Sequence, residues 1–264
     1  MSEEKKNTAV TKKETLTALR NPGELYVIMS GATKQPFVVC DPVTFDDEVL
    51  LFYRSEDAKS EAEHLAEQRY RTVVAKIEEK QLLAFYSSLY PKGVNCLMVN
   101  RGTDTEISVQ LAELVTRPNA DKLPEGKKLI ENPALYLTAM YFMQEMRRQE
   151  KPELTDELKE LQEELLAHYR DGVFLFGMEE DNKVPVLKQK NGMIYQPVFT
   201  DVIEFQKFNR EKKLKPMVVK AEKIPEILAP EVKGVVINPL GVNVQLQVAR
   251  RNSSPAEQQT GPEQ

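Results

Sequence analysis

The stretch Gly192–Phe208, GMIYQPVFTDVIEFQKF, changes its periodicity halfway, and this change decides the fold of the second half of the chain. Asn191-Gly192 is a tight-turn signal, because glycine accepts the positive φ that such turns need. The segments before and after it, 184–188 and 193–199, have the alternation or the aromatic and β-branched content of strands, so together they predict a hairpin. Pro197 cannot donate to a strand ladder, and we expect its strand to lie at a sheet edge or to be bulged there.

A helix is predicted directly after this strand. Apolar residues recur at three-residue steps and mark one helical face, at Val202, Phe205 and Phe208. Thr200 or Asp201 is a suitable N-cap, and Asp201 with Glu204 has the spacing of a capping box. The alternative interpretation is that Thr200, Asp201 and Glu204 form a polar binding cluster at the end of the strand.

The composition is that of a soluble globular protein. The chain has 264 residues, a net charge of −5, 41% hydrophobic and 29% charged residues, which predicts one or two domains with a sizeable core. The acidic balance argues against nucleic acid as the main partner, because phosphate binding needs a concentrated basic face. The N-terminus lacks an apolar signal region and no apolar run is long enough to span a membrane, so we expect a cytoplasmic protein without a membrane partner.

The residues that usually carry chemistry are sparse. Cys40 and Cys96 both adjoin apolar residues, and we expect two buried free thiols in a reducing compartment. His64 and His168 lie on separate predicted helices without other ligands at metal-binding spacing, so no metal and no cofactor are predicted. Phosphate-binding, dinucleotide-binding and nucleophile-elbow motifs are missing, which argues against an enzyme without excluding one.

The first half reads as a strand-rich unit. The pattern predicts a helical turn at 15–19, helices at 55–70, capped by Ser55, and at 79–90, and strands at 25–29, 36–40, 48–53, 72–77, 94–99 and 107–115. In the second of these helices, the residues available for burial are Leu82, Leu83 and Phe85.

The second half begins with two helices. Asn132-Pro133 starts the first, with asparagine as the cap and proline at the first position, and it runs to about 149. Its methionines predict either an adaptable interface or packing on a sheet; they are Met140, Met143 and Met146. The next helix runs from about 154 to 169 with an inward face of Leu154, Leu158, Leu161 and Leu165. Strands then follow at 173–176, in the hairpin, and at 215–220, 234–237 and 242–248, with a helical turn at 225–228.

The two halves have the same order of elements, so the sequence predicts a mixed α/β fold of two tandem, related α/β units joined by a helical pair. The best residue match pairs Gly93–Asn100 with Gly234–Asn238, with a gap. The predicted division has disordered ends, two α/β domains and a linker, at 1–12, 13–117, 118–130, 131–249 and 250–264.

The second half resembles the SseB family, named for enhanced serine sensitivity, over roughly 130–248. The resemblance is carried by Asn132-Pro133 with Leu135, Gly172-Val-Phe-Leu, Gly192 to Asp201, Glu204-Phe205 and Gly234-Val-Val-Ile-Asn-Pro-Leu-Gly. The first half resembles the family only as a diverged copy, through the repeated order of elements. The resemblance implies a soluble bacterial α/β protein, often in two copies, and it implies no settled reaction.

Two functions of different classes are compatible with the sequence. The first is a non-catalytic module that binds a protein partner, and a homo-oligomer is compatible with it. The second is a small-molecule site or an enzyme near Asp201 and Asn238. Both use the ends of strands, where α/β folds usually place ligands. The candidate binding residues are Tyr195, Phe199, Thr200, Asp201, Glu204, Asn238 and Pro239.

Overall fold

The computed structural model describes residues 12–117, 129–150, 153–180, 183–189 and 192–251. The expected disordered ends and the linker at 118–130 lie largely outside these ranges. Within the described ranges the chain forms a mixed α/β structure with separate sheets in its first and second halves. None of the described helices has both the length and the hydropathy needed to cross a membrane.

The first half is built on a six-stranded sheet of order β4-β1-β3-β5-β6, with β2 paired to β3. β3 and β5 run parallel, and the other neighbours are antiparallel. The strands are β1 Tyr26–Ser30, β2 Val38–Cys40, β3 Asp47–Phe52, β4 Thr72–Lys76, β5 Cys96–Val99 and β6 Ile107–Gln110. The expected last strand is shorter than predicted, because the chain turns into a helix after Gln110.

The helices of the first half are short except for one. They are α1 at 12–20, α2 Ser55–Glu67, α3 Leu82–Ser87 and α4 Leu111–Leu114, with 3₁₀ turns at Glu79–Gln81 and Tyr90–Lys92. Helix α2 covers one face of the sheet, where Ala58 and Leu65 pack on Phe52. Its N-cap is Arg54, not the predicted Ser55, which is the first helical residue. Leu83 is 69% exposed, so its predicted burial is wrong.

The strands of the second half form two sheets. A four-stranded sheet has the order β12-β11-β9-β8, and β10 pairs with β7. A two-way hydrogen-bonded bridge between Leu175 and Phe199 joins β7 to β9. The strands are β7 Val173–Met178, β8 Leu187–Lys188, β9 Ile194–Val198, β10 Lys215–Lys220, β11 Gly234–Ile237 and β12 Val244–Gln247. The predicted hairpin at Gly192 is confirmed, since β8 and β9 pair antiparallel.

The prediction for Pro197 holds only locally. Strand β9 lies between β8 and β11, so it is not an edge strand along its length, but at Pro197 it has a ladder partner only in β11. Pro197 is accommodated because the pairing with β8 ends at Tyr195 and the bridge to β7 begins at Phe199. Helix α7, Val202–Phe208, forms as expected, but Val202 is 46% exposed, and the buried contact is made by Phe205. A 3₁₀ turn at Ala221–Lys223 and α8, Ile224–Ile227, precede β11.

The two halves agree in detail at one turn. Asn100 and Asn238 both have left-handed backbones, with φ of 53° and 45°. The Asn100 amide donates to Leu51 O at 2.8 Å and its Oδ1 accepts from the Tyr53 amide at 3.1 Å. Asn238 makes the same two bonds to Val198 O and the Thr200 amide, at 2.9 and 3.0 Å. Counting back from these turns places Cys96, not Gly93, in the position of Gly234.

Two long helices connect the halves and share one hydrophobic core with both sheets. They are α5, Pro133–Arg148, and α6, Asp156–Arg170. Helix α5 reaches the first sheet, where the Gln144 amide pairs with the backbone of Val38 in both directions, at 3.2 and 3.0 Å. Helix α6 is capped by Thr155, whose hydroxyl accepts from the Leu158 amide. Leu154 is 55% exposed, so its assignment to the inward face is wrong, whereas Leu158 and Leu165 are buried.

Candidate functional site

Thr200 and Asp201 stand where β9 ends and α7 begins. The Asp201 Oδ1 accepts from the amides of Ile203 and Glu204 at 2.9 and 3.0 Å, so Asp201 is the N-cap of α7. The Thr200 hydroxyl donates to the other carboxylate oxygen at 2.7 Å. Only half of the expected capping box is present, because the Glu204 carboxylate turns to Tyr136 instead. The carboxylate of Asp201 is thus fully engaged in holding the chain reversal.

Two asparagines hold Thr200 from opposite sides. Asn238 accepts from the Thr200 amide and donates through Nδ2 to the Thr200 hydroxyl at 2.7 Å. Asn132 donates through Nδ2 to the carbonyls of Thr200 and Val173, at 2.7 and 2.8 Å, and accepts from the Val173 amide. Asn132 stands at the N-cap position of α5 as predicted, but its side chain makes no cap bond and joins strands β7 and β9 to that helix instead.

A charged cluster is buried beside this network. Glu204 is 2% exposed, and its Oε1 accepts from Tyr136 Oη at 2.8 Å and from Lys207 Nζ at 2.5 Å. Its Oε2 has no hydrogen-bond partner in the part of the chain that the structure describes. A Cβ on Gly241 would lie 2.9 Å from this oxygen and 3.1 Å from Gln35 Nε2, so the glycine permits the close approach of the loop between β1 and β2.

Lys92 brings a cation from the first half into the same cluster. It is 3% exposed, donates to Ser88 O at 2.6 Å and lies 5.6 Å from the ring centroid of Tyr136. Burial, followed by the neighbouring Lys207, lowers the pKa of Lys92 to about 8, although Asp201 and Glu204 oppose the shift. The cluster therefore holds charges of both signs away from water, where their interactions are strong.

Burial also shifts the acids of the cluster. Burial raises the pKa of Asp201, with the backbone bond from Glu204 and the Thr200 hydroxyl opposing it. Burial, followed by the charges of Glu204 and Asp201, raises the pKa of Tyr136 well above its ordinary value. Clusters of shifted groups are common at functional sites, but structural networks produce them as well.

We expect the free energy of unfolding of the wild type to rise at alkaline pH, and we expect the Lys92→Met variant to lack this rise. The pKa of Lys92 is about 8 in the folded chain against an ordinary value of 10.5, so the unfolded chain binds more protons between these values. The free energy of unfolding then rises with pH in this window, by up to about 1.4 kcal/mol per unit. The loss of stability caused by burying the charged Lys92 is fully present below about pH 8 and disappears as the pH approaches 10.5.

Urea unfolding of both proteins at several pH values measures this effect as the difference between them. Other groups that titrate in the unfolded chain contribute equally to both and cancel. Parallel curves for the two proteins across the window would show that Lys92 is not the buried cation described above.

The predicted site residues are mostly internal. Six are buried, with exposures of 2% or less: Tyr195, Phe199, Thr200, Asp201, Glu204 and Asn238. Thr200, Asp201 and Asn238 are hydrogen-bonded into one network, and Glu204 joins it through its backbone amide. Pro239 is half-buried. Tyr195 is not in the network and pairs with Leu187 of β8. Phe199 packs its ring on Phe205 and Phe208, with centroids 5.5 and 5.2 Å apart.

Sequence reasoning missed four contributors, namely Gln35, Lys92, Tyr136 and the side-chain role of Asn132. Asn132 was one of the residues on which the resemblance to the SseB family was based, and that is the signal that could have placed it here. Tyr136 follows one helical turn later, and its position on an apolar helical face is typical of core packing. Gln35 and Lys92 come from the first half and carry no local signal, because only the packing of the two halves brings them to Glu204.

Five of the surface cavities in the described part of the chain are lined by residues other than Asp201, Glu204 and Asn238. The widest, of about 910 Å³, is an open groove with an apolar floor of Phe208, Leu214 and Leu240, which we call the Leu240 groove. Its rim carries charges of both signs, on Glu179, Glu180, Lys207, Arg210, Glu211 and Lys213. It adjoins the cluster through Lys207, and its floor includes a residue of the Asn238–Gly241 turn.

Metal ligands do not converge anywhere in the described residues, where no group of at least three His, Cys, Asp or Glu side chains could hold an ion. His64 and His168 lie at the surface or its boundary, with side-chain exposures of 57% and 35%. Both cysteines are free thiols, and Cys96 is buried as expected. Cys40 is exposed, so its predicted burial is wrong; it ends β2 next to the turn at Asp41.

Fold and site together define a mixed α/β protein in which a buried polar network holds the ends of strands β9 and β11 together. Residues 148–250 match the family model described as "SseB protein N-terminal domain", which confirms the resemblance over these residues; Asn132-Pro133 and Leu135 lie before the match. Among solved structures, the chain is similar to "Anabaena Tic22 (protein transport)", with 10% sequence identity over 86% of this chain and 91% of that chain. The TM-score of that match is 0.21, too low for it to carry an argument. A comparison with curated proteins found no match.

Proposed function

We propose that this chain is a non-catalytic, cytoplasmic protein-binding module of the SseB-like type. The observation that carries the proposal is the burial of the motif residues. Thr200, Asp201 and Asn238 use their polar atoms on one another and on backbone groups, so they build a scaffold and offer little to a substrate. Contact with a partner then falls to the surface, where the Leu240 groove has an apolar floor.

The Leu240 groove is the best candidate for the docking surface. Leu240 is 45% exposed and stands between Pro239 and Gly241, on the turn that the buried network holds. Rigid turns of this kind present side chains to a partner without a large ordering cost. Since the rim carries both signs of charge, we propose a protein surface with one protruding apolar side chain and mixed charges as the occupant, rather than nucleic acid or a membrane.

Affinity capture with matched variants tests this function. Leu240→Asp places a charge in the floor of the groove, and Val43→Asp makes the same change at a residue that is 81% exposed and lies in the turn between β2 and β3. We expect a partner held by the wild-type chain to be lost with Leu240→Asp and kept with Val43→Asp. Both variants must first unfold in urea like the wild type. A partner retained equally by both, or no partner at all, would contradict the proposal.

We further propose that the first half is a diverged copy of the second, with domains at 13–117 and 131–249. Support comes from the equal strand order, the equal pairing directions and the two equivalent asparagine turns at Asn100 and Asn238. Helix α5 is the first helix of the proposed second domain but packs on the first sheet as well, so the two domains share a core.

A small-molecule site or an enzyme near Asp201 and Asn238 remains the second candidate. It is favoured by one observation, the unpartnered Oε2 of the buried Glu204 beside Lys92, with both charges out of water. The cavities described above do not reach this cluster, which is why we rank it second. Turnover of a metabolite that is lost in Asp201→Asn, in a variant that still folds, would establish it instead.

A further inference from the structure

Strand β12 leaves one edge of the second sheet without a partner strand in the described part of the chain. It pairs antiparallel with β11, and the Val248 amide donates to Lys233 O at 3.2 Å. Since hydrogen-bonded pairs alternate along an antiparallel ladder, the backbone groups of Gln245 and Gln247 face outward, away from β11. Both side chains are exposed as well.

This edge lacks the features that usually protect a free strand. Residues 242–248, VNVQLQV, contain no charge and no proline. By contrast, β10, the outer strand of the β7–β10 pair, contains Lys215, Pro216 and Lys220, which discourage pairing with another chain. In the first half, the equivalent strand β6 passes directly into helix α4 at Leu111. An open, uncharged edge of this length is a template for another strand.

A groove with apolar walls runs beside the edge, between β12 and the helical pair. Its volume is about 330 Å³, and its apolar lining consists of Phe142, Met143, Met146, Leu165, Val244 and Leu246. Strand addition needs both an open edge for backbone bonds and a pocket for alternate side chains. Methionines adapt their shape to different side chains, which suits a pocket that receives variable residues.

The charge next to this groove indicates what it accepts. Arg147 lines the groove, is exposed and forms no ion pair with any described residue. Arg250 and Arg251 follow β12 and are also exposed. Pairing of two copies through their β12 edges would bring both Arg147 side chains to the same joint, where like charges repel. A strand that carries carboxylates beside its apolar residues would be attracted instead.

We infer that the β12 edge and its groove bind an extended segment of a partner protein, with apolar residues at alternate positions and flanking carboxylates. The segment adds a strand antiparallel or parallel to β12, donates to and accepts from Gln245 and Gln247, and places an apolar side chain against Met143 and Met146. This inference rests on the proposed protein-binding function and assigns it a second surface, separate from the Leu240 groove.

Peptide binding to the full-length chain tests the inference. The probe is a fluorescent peptide of alternating Leu and Thr with Glu at both ends. We expect it to bind the wild type, and we expect N-methylation of its alternate amides to weaken binding about tenfold or more, because the backbone bonds to β12 are lost. In the complex, hydrogen exchange of the Gln245 and Gln247 amides should slow, while both exchange readily in the free protein.

Charge-swap variants separate this edge from the other groove. Arg147→Glu should weaken binding of the Glu-flanked peptide by about tenfold and strengthen binding of a Lys-flanked version. Arg210→Glu makes the same charge change beside the Leu240 groove and should leave both peptides unaffected. Equal effects of the two variants, or unchanged exchange at Gln245 and Gln247, would overturn the inference.

Two further results have clear meanings. A dimer of the free protein in sedimentation, with the Gln245 and Gln247 amides already protected, would assign the edge to a second copy and overturn the inference. If the peptide does not bind but a partner is still captured through Leu240, the strand-addition site is rejected and the proposed function stands. If the peptide does not bind and no partner is captured, both the strand-addition site and the protein-binding function are rejected.

Discussion

Replacing Gly234 with alanine is expected to destabilise the chain by about 4 kcal/mol or more, a size reached only when a substitution forces a severe clash or a comparable defect. Gly234 begins β11 with a φ of 154°, and a Cβ built on it would lie 2.0 Å from Leu246 O and 2.6 Å from Val248 N. Both contacts are to the backbone of β12 and its extension, so a rotamer change cannot relieve them. The alanine variant must separate β12 from β11 or shift the whole strand.

Gly192→Ala is the matched control for this prediction. Its φ is +82°, and a Cβ there would have no atom of the described residues within 4 Å, apart from its chain neighbours. Alanine at this turn therefore suffers only the left-handed backbone penalty of about 1–2 kcal/mol. Urea unfolding of both variants measures the difference. Similar losses of stability in the two would mean that the approach of β12 to Gly234 is looser than the structure has it.

If the first half is the diverged copy proposed above, the same position explains why the repeat is hard to see in the sequence. The equivalent residue in the first half is Cys96, which carries a side chain that donates to Glu48 Oε1 at 3.4 Å. At this position the first half has a thiol and a buried carboxylate, whereas in the second half the two strands approach each other directly. The apparent match of Gly93 to Gly234 came from residue identity, whereas the register follows the turns at Asn100 and Asn238.

Much of the fold could be predicted because it depends on local patterns. The hairpin at Gly192, the cap of α7 at Asp201 and the start of α5 at Pro133 all follow from turn, capping and helix-start preferences. The inward and outward faces were less predictable. Leu154 and Leu83 fit a helical stripe, but they lie near helix ends, where no neighbouring element covers them.

The site could be predicted only in part, for a different reason. Thr200, Asp201 and Asn238 lie near turn or helix signals, so the sequence pointed to them, but it could not tell a closed network from an open pocket. That distinction depends on Asn132, which approaches from a helix start 68 residues before Thr200. It also depends on Lys92 and Gln35, whose burial results from the docking of the first half on the second. Long-range packing of this kind leaves no periodic trace.

The second large effect is expected at Asn238, where Asn238→Ala should destabilise the chain by about 3–5 kcal/mol. The substitution removes two bonds to Thr200, leaves the buried Thr200 amide without its acceptor and places alanine at a φ of 45°. Asn238→Gly removes the same bonds but tolerates the backbone, so it should recover about 1–2 kcal/mol of the loss. The gap between the two variants measures the backbone contribution, and the remainder measures the side-chain bonds.

Asn100→Ala is the control inside the same molecule. It has the same left-handed backbone, with a φ of 53°, and the same acceptor role, but Tyr53, whose amide it receives, is only partly buried. We expect a smaller loss than at Asn238, because the Tyr53 amide can reach water when its partner is removed. Equal losses at the two positions, measured by urea unfolding, would show that burial of Thr200 adds nothing and that the two turns are energetically alike.

Asn238→Asp adds a test by pH. The new carboxylate still accepts a hydrogen bond from the Thr200 amide, but it cannot donate one to the Thr200 hydroxyl. That hydroxyl cannot donate to it either, because its single proton already makes the hydrogen bond to Asp201. Two buried carboxylates then compete beside Thr200, so the pKa of the introduced group should rise in the folded chain. A raised pKa contributes stability at low pH that is lost as the pH rises through the folded value, so the deficit of this variant should grow from acid to neutral pH. A deficit independent of pH would mean that water enters the network and solvates the second charge, which is the property that a ligand site at Asn238 would need.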